Sequence, residues 1–152
     1  MARARSRPSI FVDADVIFAG AAAPSEYGAS HVILRMGEIT LVDCIASEQV
    51  VTEVERNLAD KLPDKLPEFH LLVKRSLRIV GDPHPNDLAS YRGQADRKDL
   101  PILVAAVREG CRYLLTFNVR HFKPPSDVIR VLRPGEFLSV IRSLLSTLDA
   151  SG

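Results

Sequence analysis

The stretch Ile10-Phe11-Val12-Asp13-Ala14-Asp15-Val16-Ile17-Phe18 decides how the chain is read. Three apolar residues run into a pair of acids, and the apolar run resumes at once. A continuous apolar run marks a central strand of a parallel sheet, because a strand covered on both faces needs no alternation. Asp13 and Asp15 then stand where the strand gives way to loop or helix. Open α/β sheets place their ligands at the carboxyl ends of their strands. Burying a carboxylate is costly unless it is paired or coordinates a metal, so an unpaired acid at this edge calls for a cation. The plainer alternative is that one of the two caps the next helix. This stretch alone leaves both open.

The 152 residues suit one domain with a sizeable core, and 20 basic against 19 acidic residues leave a net charge of +1. That balance gives no global signal for nucleic acid, although a local basic patch is enough to hold phosphates. Cys44 and Cys111 are too few for a disulfide framework and fit a reducing cytosol, so the chain is expected in the cytoplasm. Arg3, Arg5 and Arg7 make residues 1–8 a flexible basic arm. Aspartates interrupt the apolar run behind that arm, which argues against a secretory signal. No apolar run approaches the roughly 18 residues of a membrane span.

Along the chain, residues 19–25 read as a loop. Ser25 caps a helix to about Met36, and Gly37 ends it. Residues 39–42 read as a second strand. Residues 47–62 form a helix with Val50, Val51, Val54, Leu58 and Leu62 as its apolar stripe. Pro63 and Pro67 break it, a shorter helix covers 66–76, and residues 77–80 are strand three. The Pro- and Asp-rich segment 81–98 is a loop with one helical turn near 88–91. A helix follows Asp99 to about Glu109, then strand four over 112–116 and strand five over 128–132. A last amphipathic helix runs from Pro134 to about Leu148. Strands alternate with helices, which predicts right-handed crossovers and a mostly parallel sheet of about five strands in a three-layer α/β/α fold.

Three more positions join the first acids. Glu53 lies within a helix, where the plain role is partner to Arg56 or Asn57. Asp99 starts a helix, where the plain role is its cap. Asn118 follows a strand end, where it could make a turn. Each is weak alone, but Asp13, Asp99 and Asn118 all fall at one expected edge of a parallel sheet. A carboxylate cluster there suits Mg²⁺ or Mn²⁺, which take oxygen ligands and activate water for attack on a phosphodiester. No Cys/His spacing suggests zinc, and the phosphate-binding glycine loops and the nucleophilic-serine motif are absent from the sequence.

The blocks Val12-Asp13-Ala14-Asp15-Val16, Thr52-Glu53-Val54-Glu55-Arg56-Asn57-Leu58, Lys98-Asp99-Leu100-Pro101-Ile102-Leu103-Val104-Ala105-Ala106 and Tyr113-Leu114-Leu115-Thr116-Phe117-Asn118 together resemble a PIN domain. The likeness runs from Ile10 to about Leu145, and is greatest to the VapC-like toxins of bacterial toxin–antitoxin pairs. It implies a Mg²⁺- or Mn²⁺-dependent endoribonuclease acting on structured RNA, tRNA or rRNA first among them. It also implies an antitoxin partner and a homodimer paired through helices such as 25–36 and 47–62. By it Asp13, Glu53 and Asp99 are the acidic cluster, with Thr116 and Asn118 as the fourth block. Two departures stand out. Asp15 replaces a residue that is often small and polar, and Asn118 replaces a residue that is frequently acidic. Asp15 is expected either to supply the missing charge as a metal ligand or to orient one.

Arg92, Arg97, Lys98, Arg120, His121 and Lys123 flank these blocks and are expected to form an RNA-binding rim. Two other functions remain. One is a haloacid-dehalogenase-like phosphatase, with Asp13 and Asp15 as nucleophile and acid, Thr116 on phosphate, and Gly81, Asp82 and Asp87 as a metal motif that then falls in the wrong order. The other is a non-catalytic PIN-like RNA-binding or scaffold domain.

Overall fold

The structure is a computed structural model that describes residues 7–151. The basic arm expected over residues 1–8 therefore lies outside the described residues, except for Arg7 and Pro8. Five strands form one sheet, β1 (Ser9–Val12), β2 (Asp43–Ser47), β3 (Arg78–Val80), β4 (Tyr113–Leu115) and β5 (Arg130–Leu132). Their order is β3-β2-β1-β4-β5, and every pairing is parallel. β1 is central: Ile10 pairs with Cys44 on one side and with Tyr113 on the other. Ile10, Phe11 and Val12 are fully buried, as a strand covered on both faces must be.

Among the described residues five helices lie between the strands, α1 (Ala14–Ala22), α2 (Gly28–Glu38), α3 (Glu48–Lys61), α4 (Leu66–Ser76) and α5 (Leu100–Arg108), and α6 (Pro134–Ser151) follows β5. Right-handed crossovers from β1 to β2 and from β2 to β3 put α1 to α4 on one face, where α1 packs on α2 and α3, and α2 on α4. The return from β3 past β1 to β4 runs the other way, so α5 covers the opposite face. Because the strand order reverses at β1, a crevice opens between the carboxyl ends of β1 and β4.

Two segments differ from the sequence expectation. Residues 39–42 are no strand: Ile39 and Leu41 are 56% and 57% exposed, and Thr40 turns the chain with φ +63. The strand is the next five residues, whose apolar members are buried behind Asp43. Asp43 itself is held at the sheet margin by the Arg78 guanidinium at 2.9 Å. Residues 19–22 are not loop but the end of α1, as the helix propensity of Ala19, Ala21 and Ala22 allows despite Gly20. The second helix begins at Gly28 with Tyr27 in the cap position, and Ser25 does not cap it. The turn expected near 88–91 is a 3₁₀ helix over Pro85–Tyr91.

Gly37 lets α2 approach its neighbours. A Cβ there would stand 2.6 Å from the Ser76 carbonyl and 2.9 Å from Cys44 Sγ. Cys44 and Cys111 are both free and buried, and desolvation pushes both thiols up to about 12, so neither is a nucleophile at neutral pH. No helix among the described residues is long and apolar enough to cross a membrane.

Candidate active site

β1 delivers Asp13 to the crevice. Its backbone N–H still bonds to the Leu115 carbonyl at 3.0 Å, so β1 and β4 stay paired up to the acid itself. One carboxylate oxygen accepts from the Ala14 N–H at 2.7 Å and the other from the Thr116 hydroxyl at 2.9 Å. Asp13 is thus both the cap of α1 and a wall of the crevice; the two roles are not exclusive. Asp15, in the first turn of α1, points one oxygen at the β4 end. That oxygen accepts from the Phe117 N–H at 3.0 Å and the Asn118 side-chain amide at 3.2 Å. Its other oxygen is buried and has no hydrogen-bond partner. Thr116 is fully buried and also accepts from the Asn118 N–H at 3.1 Å, so the turn 116–118 is cast around both carboxylates.

Asp99 starts α5 but makes no side-chain capping bond, which corrects the plain role expected for it. Its backbone is helical rather than extended, and the second helical position is Pro101, which has no N–H to offer. Its carboxylate instead meets His121 Nδ1 at 3.0 Å, and Asp96 lies 3.7 Å from the same nitrogen. Two backbone bonds hold these segments together: Asp96 N–H to the His121 carbonyl at 2.7 Å, and Lys123 N–H to the Gln94 carbonyl at 2.6 Å. Glu53 stands on the exposed side of α3 and makes no ion pair among the described residues.

One cavity of about 650 Å³ gathers these groups. It is lined by Asp13, Asp15, Glu48, Glu53, Asp82 and Asp99, with Asn118, against only Arg56 and Lys98 as cations. The rim residues fall unevenly around it. Lys98 lines this cavity, Arg92 and Arg97 line a neighbouring one under the 3₁₀ helix, and Arg120 and Lys123 are exposed beside His121. Glu48 and Asp96 were not singled out from the sequence as site residues, and Asp82 only in the phosphatase reading. Only tertiary contacts bring Glu48 and Asp82 into the cavity and Asp96 beside His121, so no local signal marks them. Asp82, which the phosphatase reading gives to a metal motif, accepts a bond from the Gln49 N–H at 2.9 Å, at the start of α3.

A sequence model of the PIN domain matches residues 9–120. The chain belongs to the PIN-domain family. Among solved structures it is similar to VapBC2 from Rickettsia felis bound to a DNA fragment from its promoter, at TM-score 0.61 and 15% identity, covering 82% of this chain and 98% of that one. It is also similar to VapC20 of Mycobacterium tuberculosis, a sarcin-ricin loop cleaving toxin, at TM-score 0.51 and 13% identity, covering 69% and 86% respectively. At these identities the likeness is one of fold. No curated protein sequence matches significantly.

The electrostatics of this PIN domain fit a divalent cation. Burial, and next the charge of Asp15, raise the Asp13 carboxyl to about 7, against bonds from Ala14 and Thr116 that pull it down. Burial raises Asp15 as well. Two crowded acids, one with an orphaned oxygen, form an oxygen-rich donor set of the kind that Mg²⁺ and Mn²⁺ take. Donor atoms of Asp96, Asp99 and His121 lie within 4.8 Å of one another and add a nitrogen to the outer side.

The raised Asp13 carboxyl sets a pH dependence. Below its unfolded value of 3.8 the acid is neutral in both states, and the fold carries no penalty. As pH rises through about 7 the folded protein must ionise it in a buried site, and stability is lost. Asp13→Asn keeps the capping oxygen and cannot ionise. Without divalent ions its melting temperature should match the parent near pH 4 and exceed it above pH 7, by several kcal/mol in stability at most. A gap that does not change with pH would mean that Asp13 ionises as it does in water.

Proposed function

We propose that this PIN domain is a metal-dependent endoribonuclease that hydrolyses RNA phosphodiester bonds, and that it is the toxin of a toxin–antitoxin pair. One observation carries the reading: Asp13, Asp15, Glu53, Asp99 and Asn118 line a single cavity at the switch point of the sheet, with acids in excess of cations. Family membership supports the same chemistry.

In this reading Asp13, Glu53 and Asp99 hold Mg²⁺ or Mn²⁺, and Asp15 completes the negative set. A bound ion supplies activation of water for in-line attack and neutralises the charge that develops on the phosphate. The residues of the chain do the rest. Thr116 fixes the orientation of Asp13 by donating its hydroxyl. His121 holds Asp99 in place. Asn118 gives one amide N–H to Asp15 and has a second to offer a phosphate oxygen. Ribosomal RNA and tRNA are the substrates to try first. The antitoxin is expected to place a basic side chain among the carboxylates, where it would replace the cation.

Asp99→Asn separates this reading from a structural role. Because Asp99 does not cap α5 through its side chain, the change should move stability by about 1 kcal/mol or less. RNA cleavage with Mn²⁺ should collapse. Asn118→Asp adds a carboxylate beside Asp15, and should tighten Mn²⁺ binding and raise cleavage at some cost to the metal-free fold. An Asp99→Asn protein that cuts at the parental rate ends the reading. A parent that binds RNA but cuts none with Mg²⁺ or Mn²⁺ is a binding domain instead.

Arg92, Arg97, Lys98, Arg120, His121 and Lys123 serve in this reading as phosphate contacts around a negative centre. Each true contact adds about one unit to the log–log salt slope of binding. Reversing the charges of Arg120 and Lys123 should therefore flatten the slope by about two units. An unchanged slope would place the RNA elsewhere.

The homodimer is proposed from apolar surface that this chain leaves uncovered. Val32 on α2 and Leu71 on α4 are 44% and 49% exposed, and Leu144 and Leu145 on α6 are 55% and 60% exposed. The helix α3 contributes little, since its apolar residues Val50, Val54 and Leu58 are fully buried. Scattering at tens of micromolar should return twice the chain mass, and Val32→Glu with Leu71→Glu should return one. A parent that scatters as a monomer overturns the dimer.

A further inference from the structure

Beside the carboxylate cavity lies a second one of about 450 Å³ with a different character. Its lining is mostly apolar: Phe18, Ala19 and Ala22 from α1, Tyr27 from the turn before α2, and Phe117 from the turn after β4. The two cavities share Ala14, Asp15 and Glu53, so they are one continuous groove with an acidic end and an aromatic end. We propose that the aromatic end is a nucleobase subsite, which holds an unpaired base of the RNA strand while the neighbouring phosphate sits at the carboxylates. The inference rests on the nuclease reading and deepens it.

Three features favour a base over any other apolar occupant. First, the Tyr27 and Phe117 rings lie 5.9 Å apart at 60°, so they are not stacked face to face, and Tyr27 is 46% exposed. An exposed aromatic ring in a groove suits stacking, by which unpaired bases are held. Second, polar groups line one side of the aromatic end. Glu53, Asn57 and Lys61 follow one another at four-residue spacing, and therefore share one face of α3 that runs from the acidic end to the aromatic end. The Asn57 amide both donates and accepts, as the edge of a base requires. Lys61 sits with Nζ 5.9 Å from the Phe18 ring centroid and brings a cation for the backbone that enters with the base. Third, the groove is joined to the carboxylates through covalent neighbours. Thr116 and Asn118, which organise Asp13 and Asp15, flank Phe117 directly, and the Phe117 N–H binds Asp15 at 3.0 Å. A base on Phe117 is thus coupled in register to the acids that would act on its phosphate.

Free nucleosides test the subsite apart from the nuclease reading, because they carry no phosphate and need no metal. With the full chain, adenosine, guanosine, cytidine and uridine are titrated while the ring resonances of Tyr27 and Phe117 are followed by NMR. At least one nucleoside should shift both rings. Tyr27→Leu keeps apolar bulk at an exposed position and should weaken that binding about tenfold, whereas Tyr27→Phe should retain it. The second arm is cleavage of a randomised RNA pool with Mn²⁺. The parent should prefer one base at a fixed position beside the cut, and Tyr27→Leu should lose that preference while still cutting. If the nucleosides shift neither ring, the proposal is overturned, and an apolar peptide that shifts both rings instead would assign the groove to a protein partner. It is overturned equally if Tyr27→Leu cuts the pool with the parental preference. If no protein cuts RNA but nucleosides still shift both rings, the nuclease reading fails and the base subsite stands.

Discussion

A single buried hydroxyl ties the ends of β1 and β4 together. Thr116 has one proton and gives it to Asp13 at 2.9 Å, while its oxygen accepts from the Asn118 backbone. A bond to a charged group is worth about 1.5–3 kcal/mol, and leaving such a group buried and unpaired costs a comparable amount. The arrangement therefore holds only if the turn 116–118 and the start of α1 keep one mutual geometry. That geometry brings Asp15 against Phe117 and Asn118 and opens the crevice where the strand order reverses. Yet the bonds do not win outright. Burial still raises Asp13, so this part of the fold is held in an electrostatically uneasy state.

Much of this was legible in the residues. The run Ile10–Val12 could only be a strand buried on both faces, and an acid directly after it could only stand at the ligand edge. The alternation of elements gave the parallel sheet and the α/β/α layering. The boundaries that went astray share a cause. The apolar segment 39–42 looks like a strand by composition, but Thr40 at φ +63 turns it outward, and tertiary context decides such short runs. Residues 19–22 looked like loop because small residues carry little pattern, whereas the three alanines among them carry ample helix propensity.

The site was legible in part for a similar reason. Asp13, Asp15 and Asn118 announce themselves by following strand ends. Asp99 announces itself by starting a helix, although Pro101 takes away the plain use of its side chain. Asp96 and His121 have no such marker. They meet because an isolated antiparallel bridge outside the sheet, Ala95–Phe122, draws two loops together. That is a property of the whole fold and of no local window.

Asp13 also sets protons and any divalent cation in competition for one carboxylate. Near neutral pH the carboxyl still holds a proton for part of the time, and any cation that engages it must first expel that proton. Apparent affinity should then climb by about tenfold for each pH unit below 7 and level off above it. Proton and cation would in this way compete for the same carboxylate.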